Sequence, residues 1–362
     1  MDRRAFLRTA AASGIATALV RPMQALGAPG PDTAPWRTFE VTALAEIVSP
    51  TGVARAWLPL PLMPDTDYHR TLGQAWTGNA ATTRIYRDPV YGAAIFYAEW
   101  PAGESSPVVE VRSRFATRDR AVDLRDPGNV VPEDKRTLAK FVMSTRLIRT
   151  DGLVRQTALE ITRGAASDLE RVRAVYEWIV DNTFRDPKVR GCGIGDISWM
   201  LETRNLGGKC ADLNALFVGL VRAIGIPARD VYGVRVGDSA EFKSLGRSGD
   251  VSRAQHCRAE FYLATHGWVP VDPADVRKVV LEERGGLALG DPIVKRARAK
   301  LFGAWEMNYL AYNFAHDVIL PNSSGDPIAF LMYPHAEAGE VRRDSLDPES
   351  FRYRLTSREL AM

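Results

Sequence analysis

Cysteine is scarce in this chain: there are three in 362 residues, and no two stand in the Cys-x-x-Cys spacing of a zinc or redox site. Neither a disulfide framework nor a zinc cluster is therefore expected. Histidine is hardly commoner. His69, His256, His266, His316 and His335 are scattered, without the His-Glu-x-x-His pair that sets two ligands on one helical face, so no metal and no cofactor is expected. No apolar run in the body of the chain is long enough to cross about 30 Å of hydrocarbon, which argues against a stable membrane anchor. Nor does one sign of charge dominate, since 47 lysines and arginines face 44 aspartates and glutamates.

The first residues, MDRRAFLRTAAASGIATALV, place Arg3 and Arg4 before a short, Ala-rich, weakly apolar stretch, and small residues around Ala25 to Ala28 offer a cleavage site. The pattern predicts a twin-arginine export signal over residues 1–28 and a periplasmic mature protein; the alternative is a basic arm. Removing that segment takes away four arginines and one aspartate and leaves 43 basic against 43 acidic side chains. A chain so balanced lacks the basic excess of a nucleic-acid partner.

Residues 36–125 then read as a small β-sandwich. Phe39, Val41, Ala43, Ala45 and Ile47 share one face of an alternating run, Val109, Val111 and Phe115 share another, and further runs at 53–62, 82–88 and 93–99 are separated by turn residues. The aperiodic stretch RDPGNVVPED at 125–134 marks a boundary. A second domain over 135–357 begins with helices. Ser167 and Glu170 form a capping box ahead of Leu169, Val172, Val175, Tyr176 and Ile179, and a later apolar stripe from Leu213 to Ile224 is closed by Gly225 and Pro227. Strand-like segments follow at 230–237, 257–263, 268–272, 327–333 and 351–356, an order that indicates an α+β domain.

Cys210 stands at the head of the Leu213–Ile224 stripe, in the first turn of a helix, where unpaired backbone amides favour thiolate. Gly207 and Gly208 before it would let a substrate backbone come close. The competing reading is a buried structural thiol. In HCRAEFYL, His256, Arg258, Glu260 and Tyr262 share one strand face, and a five-residue loop to WVPVDP would pair Tyr262 with Trp268, Glu260 with Pro270 and Arg258 with Asp272. His256 then lies diagonal to Asp272, which could orient its imidazole; an Arg258–Asp272 pair is the alternative.

The segments NLGGKCADLNALFVGLVRAIGIPARDVYGVRV and QHCRAEFYLATHGWVPVDPADV resemble the core of bacterial transglutaminase-like proteins, over roughly residues 168–275. The resemblance implies a papain-like fold, a Cys-His-Asp triad at Cys210, His256 and Asp272, and a peptide or protein substrate; an N-terminal sandwich is also common among such proteins. Such a triad acts on amide bonds through a thioester that passes its acyl group to water or to an amine. Hydrolysis is the expected outcome because the sequence shows no feature for recognising a lysine donor. Acyl transfer to amines, and a non-catalytic binding or scaffold protein that keeps the fold, are the alternatives. Cys257, where many relatives carry a small residue, and the segment LFGAWEMNYLAYNFAHDVILP depart from the pattern. Trp305, Tyr309, Tyr312 and Phe314 could line a groove or fill a core.

Strand alternation points Cys257 away from the His256 face, while Cys192 lies in the Gly-rich loop RGCGIGD. Two readings stay open: a Cys192–Cys257 disulfide that leaves Cys210 as the free thiol, or two separate buried thiols. For the N-terminus the expectation is sharper. Changing Arg3 and Arg4 together to Lys should retain the precursor inside the cell, and normal export of the double variant, read by fractionation, would exclude the twin-arginine route.

Overall fold

The computed structural model describes residues 34–361 except 64 and 129, so the expected export signal lies outside the described residues. The alternation of β1 (Arg37–Ile47) gives one apolar stripe that serves two cores. Ala45 and Ile47 pack with Ala56, Leu58, Phe96 and Trp100 inside the sandwich. Phe39 and Val41 pack instead with Val234, Val236 and Leu310, which belong to the second half of the chain.

The sandwich is built from β1, β2 (Ala54–Pro59), β3 (His69–Gly78), β4 (Thr82–Arg87), β5 (Ala94–Trp100) and β6 (Val108–Thr117). One antiparallel sheet runs Gly249–Asp250, Phe351–Leu360, β1, β6, β3; the other runs Val341–Arg343, His335–Ala338, β2, β5, β4. The expected strand at 351–356 thus joins the sandwich, with Thr38 opposite Leu360 and Ile47 opposite Phe351. Pairing along the whole of β1 covers an edge that would otherwise present unpaired amides.

Between β6 and these C-terminal returns the chain forms a four-stranded antiparallel sheet, ordered Gly267–Val271, Gln255–Leu263, Ala228–Arg235, Tyr309–Asn313. Against one face packs the helix Cys210–Ala223, all of whose residues are buried. Around it stand Gly152–Ile161, Asp168–Asn182 and Ile197–Thr203. Half of the expected capping box forms: Ser167 Oγ accepts from the Glu170 amide at 3.2 Å, while the Glu170 carboxylate accepts from Ala166 N, one residue before the cap, at 2.7 Å. The aromatics of the 301–321 segment fill core. Trp305, Tyr309 and Tyr312 are buried, and Tyr309–Asn313 is a strand of the sheet. No helix among the described residues is long and apolar enough to cross a membrane.

The opposite face of this sheet carries charge, and the charge is buried. Glu260, without solvent exposure, bonds Arg229 at 2.6 Å and Arg120, which comes from the link after β6. Arg120 also donates to the Trp268 carbonyl at 2.5 Å, and the Arg229 guanidinium lies 3.8 Å from the rings of Trp268 and Phe314. Arg120 is thereby a polar rivet between the sandwich link and the sheet. Glu260→Ala should lower stability by about 3–5 kcal/mol in urea unfolding, because two guanidinium groups would be left in the interior without their counter-charge.

Candidate active site

Cys210 is the first residue of its helix, and Lys209 is the cap. The cap is completed by Asp212, one turn on: Oδ2 accepts from Lys209 N at 2.9 Å, and Oδ1 accepts from the amides of Ile194 and Gly195 at 2.9 Å each. One carboxylate therefore ties the Gly-rich loop to the helix end. Gly193 passes so close, at φ +96°, that a Cβ there would fall 1.8 Å from Asp212 Oδ2. The Ala211 amide adds a bond to the Cys192 carbonyl at 2.9 Å. Packing also accounts for Gly207 and Gly208, since side chains there would collide with the Phe184 ring and with Asp212. Both glycines thus let protein approach protein closely at the head of the helix.

The hairpin has the register its loop length predicts: Tyr262 faces Trp268, Glu260 faces Pro270, and Ala259 faces Val271 as the last rung. Asp272 comes one residue beyond the ladder. Its Oδ2 lies 2.7 Å from His256 Nε2, and its Oδ1 accepts from Asn214 Nδ2 at 3.1 Å and from Asp275 N at 3.0 Å, capping the helix Pro273–Glu282. Asn214 also donates to the Cys257 carbonyl at 2.8 Å and accepts from Ala274 N at 3.2 Å, which fixes helix, strand and cap to one another. Arg258 does not take His256's place. Its Nε stays 4.0 Å from Asp272, while its guanidinium bonds the Glu306 carbonyl and covers the Tyr309 ring.

The structure brings Cys210, His256 and Asp272 together. The Cys192 and Cys257 thiols and the His256 imidazole are the neighbours that set the acidity of the Cys210 thiol. With Nε2 committed to Asp272, Nδ1 is the nitrogen left for the thiol. The neighbouring Cys192 and Cys257 thiols hold the Cys210 thiol well below its ordinary range against the cost of burial, and His256 adds to this. Burial and Arg235 push His256 down, yet Asp275 and Asp272 outweigh them and raise it to about 9. Asp275, buried but 2.6 Å from Arg235, is held well below the usual carboxylate range, and burial together with that neighbouring charge pushes Asp272 up. The two shifts run the same way, toward a charged sulfur beside a charged ring. His256, Asp272 and Asp275 form the one described group with metal-like spacing, but their facing atoms are engaged with one another, with Arg235 and with Asn214.

All three cysteines are free thiols, so the Cys192–Cys257 bridge is not formed. Cys192 Sγ turns to the Gln255 carbonyl at 3.3 Å, and Cys257 Sγ lies 3.7 Å from Met332 Sδ. Alternation does send Cys257 to the face away from Arg258, but that face holds the Cys210 helix, so His256 and Cys257 reach the same sulfur from successive positions. Sequence reasoning missed Asp212 and Asn214, whose only signal is two polar residues at the head of an otherwise apolar helix. It also missed Tyr333, which lines the same cleft as Cys192 and whose buried hydroxyl has no hydrogen-bond partner.

Residues 155–273 match the profile of the transglutaminase-like superfamily. An uncharacterised protein of Haemophilus influenzae is 34% identical over 341 residues, covering 89% of this chain and 91% of its own. The chain belongs to the transglutaminase-like superfamily. Its fold is that of such proteins: the crystal structure of a proposed cysteine protease from Cytophaga hutchinsonii superposes with a TM-score of 0.50 at 15% identity, over 90% of this chain and 99% of that one. Cys210, His256 and Asp272 all fall within the matched span.

The Cys192 and Cys257 thiols should behave differently from Cys210. Their acidity is reduced, Cys192 mainly by its bond to Cys210 and Cys257 mainly by burial. Iodoacetamide at pH 7 should label Cys210 rapidly and the other two only after denaturation; equal labelling of all three by peptide mass mapping would contradict the thiolate assignment. The linked stability follows from His256. Its pKa is raised from 6.5 to about 9, so its contribution is complete below about pH 6.5 and is lost as pH rises through about 9.

Proposed function

We propose that the protein is an exported thiol enzyme that hydrolyses peptide or related amide bonds through Cys210, His256 and Asp272. The observation that carries this reading is the 2.7 Å bond from His256 Nε2 to Asp272, with Cys210 and His256 lining one cleft. Cys210 opens onto a cleft of about 1280 Å³ that His256 also lines, so a substrate acyl carbon can meet the sulfur from solvent.

In the proposed reaction the Cys210 thiolate attacks the acyl carbon. The backbone N–H of Cys210, a first-turn amide with no intrahelical acceptor, points to where the oxyanion grows. His256 Nδ1–H gives its proton to the departing amine as the C–N bond breaks, leaving a thioester and a neutral imidazole. The imidazole then takes a proton from water, whose oxygen attacks the thioester; the C–S bond breaks, thiolate and imidazolium re-form, and the carboxylic acid leaves and loses its proton to solvent. Asp272, held by Asn214 and by the Asp275 amide, keeps Nε2–H on the far side of the ring throughout. Export rests on the Arg3–Arg4 pattern of the N-terminus.

Cys210→Ala and His256→Ala should each reduce peptide turnover by about 10³-fold or more while the thermal midpoint stays near wild type, and Asp272→Asn should leave a measurable residue of activity through a mis-set ring. Product masses with and without a primary amine separate hydrolysis from acyl transfer. Undiminished turnover by Cys210→Ala would exclude the covalent route.

A further inference from the structure

The cleft is far more basic than the protein. Over the whole sequence 47 basic side chains face 44 acidic ones, but the cleft that Cys210 and His256 open onto is lined by nine lysines and arginines and two glutamates. Both glutamates are already engaged. Glu282 bonds Arg185 at 2.6 Å and Lys278 at 3.6 Å, and Glu283 accepts from the backbone amides of Lys243 and Ser244 at 3.2 and 3.0 Å.

Of the lining cations, Lys209, Lys243, Arg247, Arg253 and Arg284 make no ion pair among the described residues, although Arg247 gives its Nε–H to the Asp250 carbonyl at 3.0 Å. Lys209 precedes the nucleophile-type cysteine. Lys243 and Arg284 stand on two short turns, Lys243–Leu245 and Glu283–Gly285, which the Glu283 bonds join into one rim. Arg253 lies three residues before His256, on the stretch whose Gln255 carbonyl takes the Cys192 thiol. Unpaired cations at a concave site with low-dielectric walls attract anions and raise their local concentration.

Resting on the reading of Cys210 as an acyl-transferring nucleophile, we propose that the substrate is an acidic peptide, with carboxylates flanking the bond that reaches Cys210. Lys209 is placed to meet a carboxylate next to the reacting acyl group, and the Lys243–Arg284 rim and Arg253 to meet carboxylates farther along. A backbone amide at the thiol and side-chain carboxylates along the groove account for both kinds of lining group. A polyphosphate would satisfy the cations but offers the sulfur no acyl carbon.

Binding separates this inference from the catalytic reading. Fluorescence anisotropy with the Cys210→Ala mature protein should show a Glu-rich decapeptide bound about tenfold or more tighter than a Lys-rich or neutral one of equal length, with the preference shrinking between 20 and about 300 mM salt. Lys243→Glu with Arg284→Glu should remove the preference. Arg84→Glu with Lys135→Glu, which shifts net charge equally on exposed residues outside the cleft, should leave it in place. Equal binding of the three peptides, or tighter binding of inorganic polyphosphate than of the Glu-rich peptide, would overturn the proposal. Charge-selective binding without turnover of that peptide by the wild-type protein would uphold the acidic ligand and count against the hydrolytic reading alone.

Discussion

The Asp272 carboxylate has no solvent exposure, and three elements of the catalytic half are placed by the donors it requires. A buried carboxylate is costly unless its oxygens are satisfied. Here the strand supplies His256, the long helix supplies Asn214, and the helix that follows supplies the amide of Asp275. The same atom group is a helix cap, a tie between helix and sheet, and the orienter of an imidazole. Loosening any of the three would disturb the other two.

Around that carboxylate the protein balances charges without water. Arg235 neutralises Asp275 on one side of His256, and Arg258 stays at a distance, covered by Tyr309. Burial alone would make His256 neutral; two carboxylates at 2.7 and 3.4 Å reverse that. The thiol has a different kind of support: its acidity is raised by the Cys192 and Cys257 thiols and by the His256 ring, against the cost of burial. The glutamate lattice on the other face of the sheet keeps the strand that carries His256 fixed to the sandwich link through Arg120.

Much of the hairpin was legible because strand alternation has a period of two and the turn between 263 and 267 leaves one register. The Cys210 helix was legible from its apolar stripe and from Gly225 and Pro227 at its end. Asp212 and Asn214 were not: a polar residue near a helix start reads as ordinary solvation until the chain folds a loop and a second strand onto it. The Tyr309–Asn313 strand was hidden because both its faces are buried, so its aromatics carry no alternation. The free thiols defeated a pairing based on parity, since alternation tells which face of a strand a side chain takes but not which partner waits there. The two-fold use of β1 was visible only as one stripe, with nothing to show that half of it meets residues about two hundred positions away.

The antiparallel pairing of β1 with Phe351–Leu360 sets an order on synthesis. β1 can meet β6 as soon as both have left the ribosome, but its other edge has no partner until the final ten residues of that ladder emerge. At about 5–20 residues per second, the roughly 300 residues between the two strands take on the order of 15–60 s to translate. During that interval the half-made sheet exposes a row of backbone donors and acceptors to every other chain nearby. A nascent copy stalled or truncated before Phe351 would keep that open edge for good, and so would be the form of this protein most prone to pair with its neighbours on a polysome.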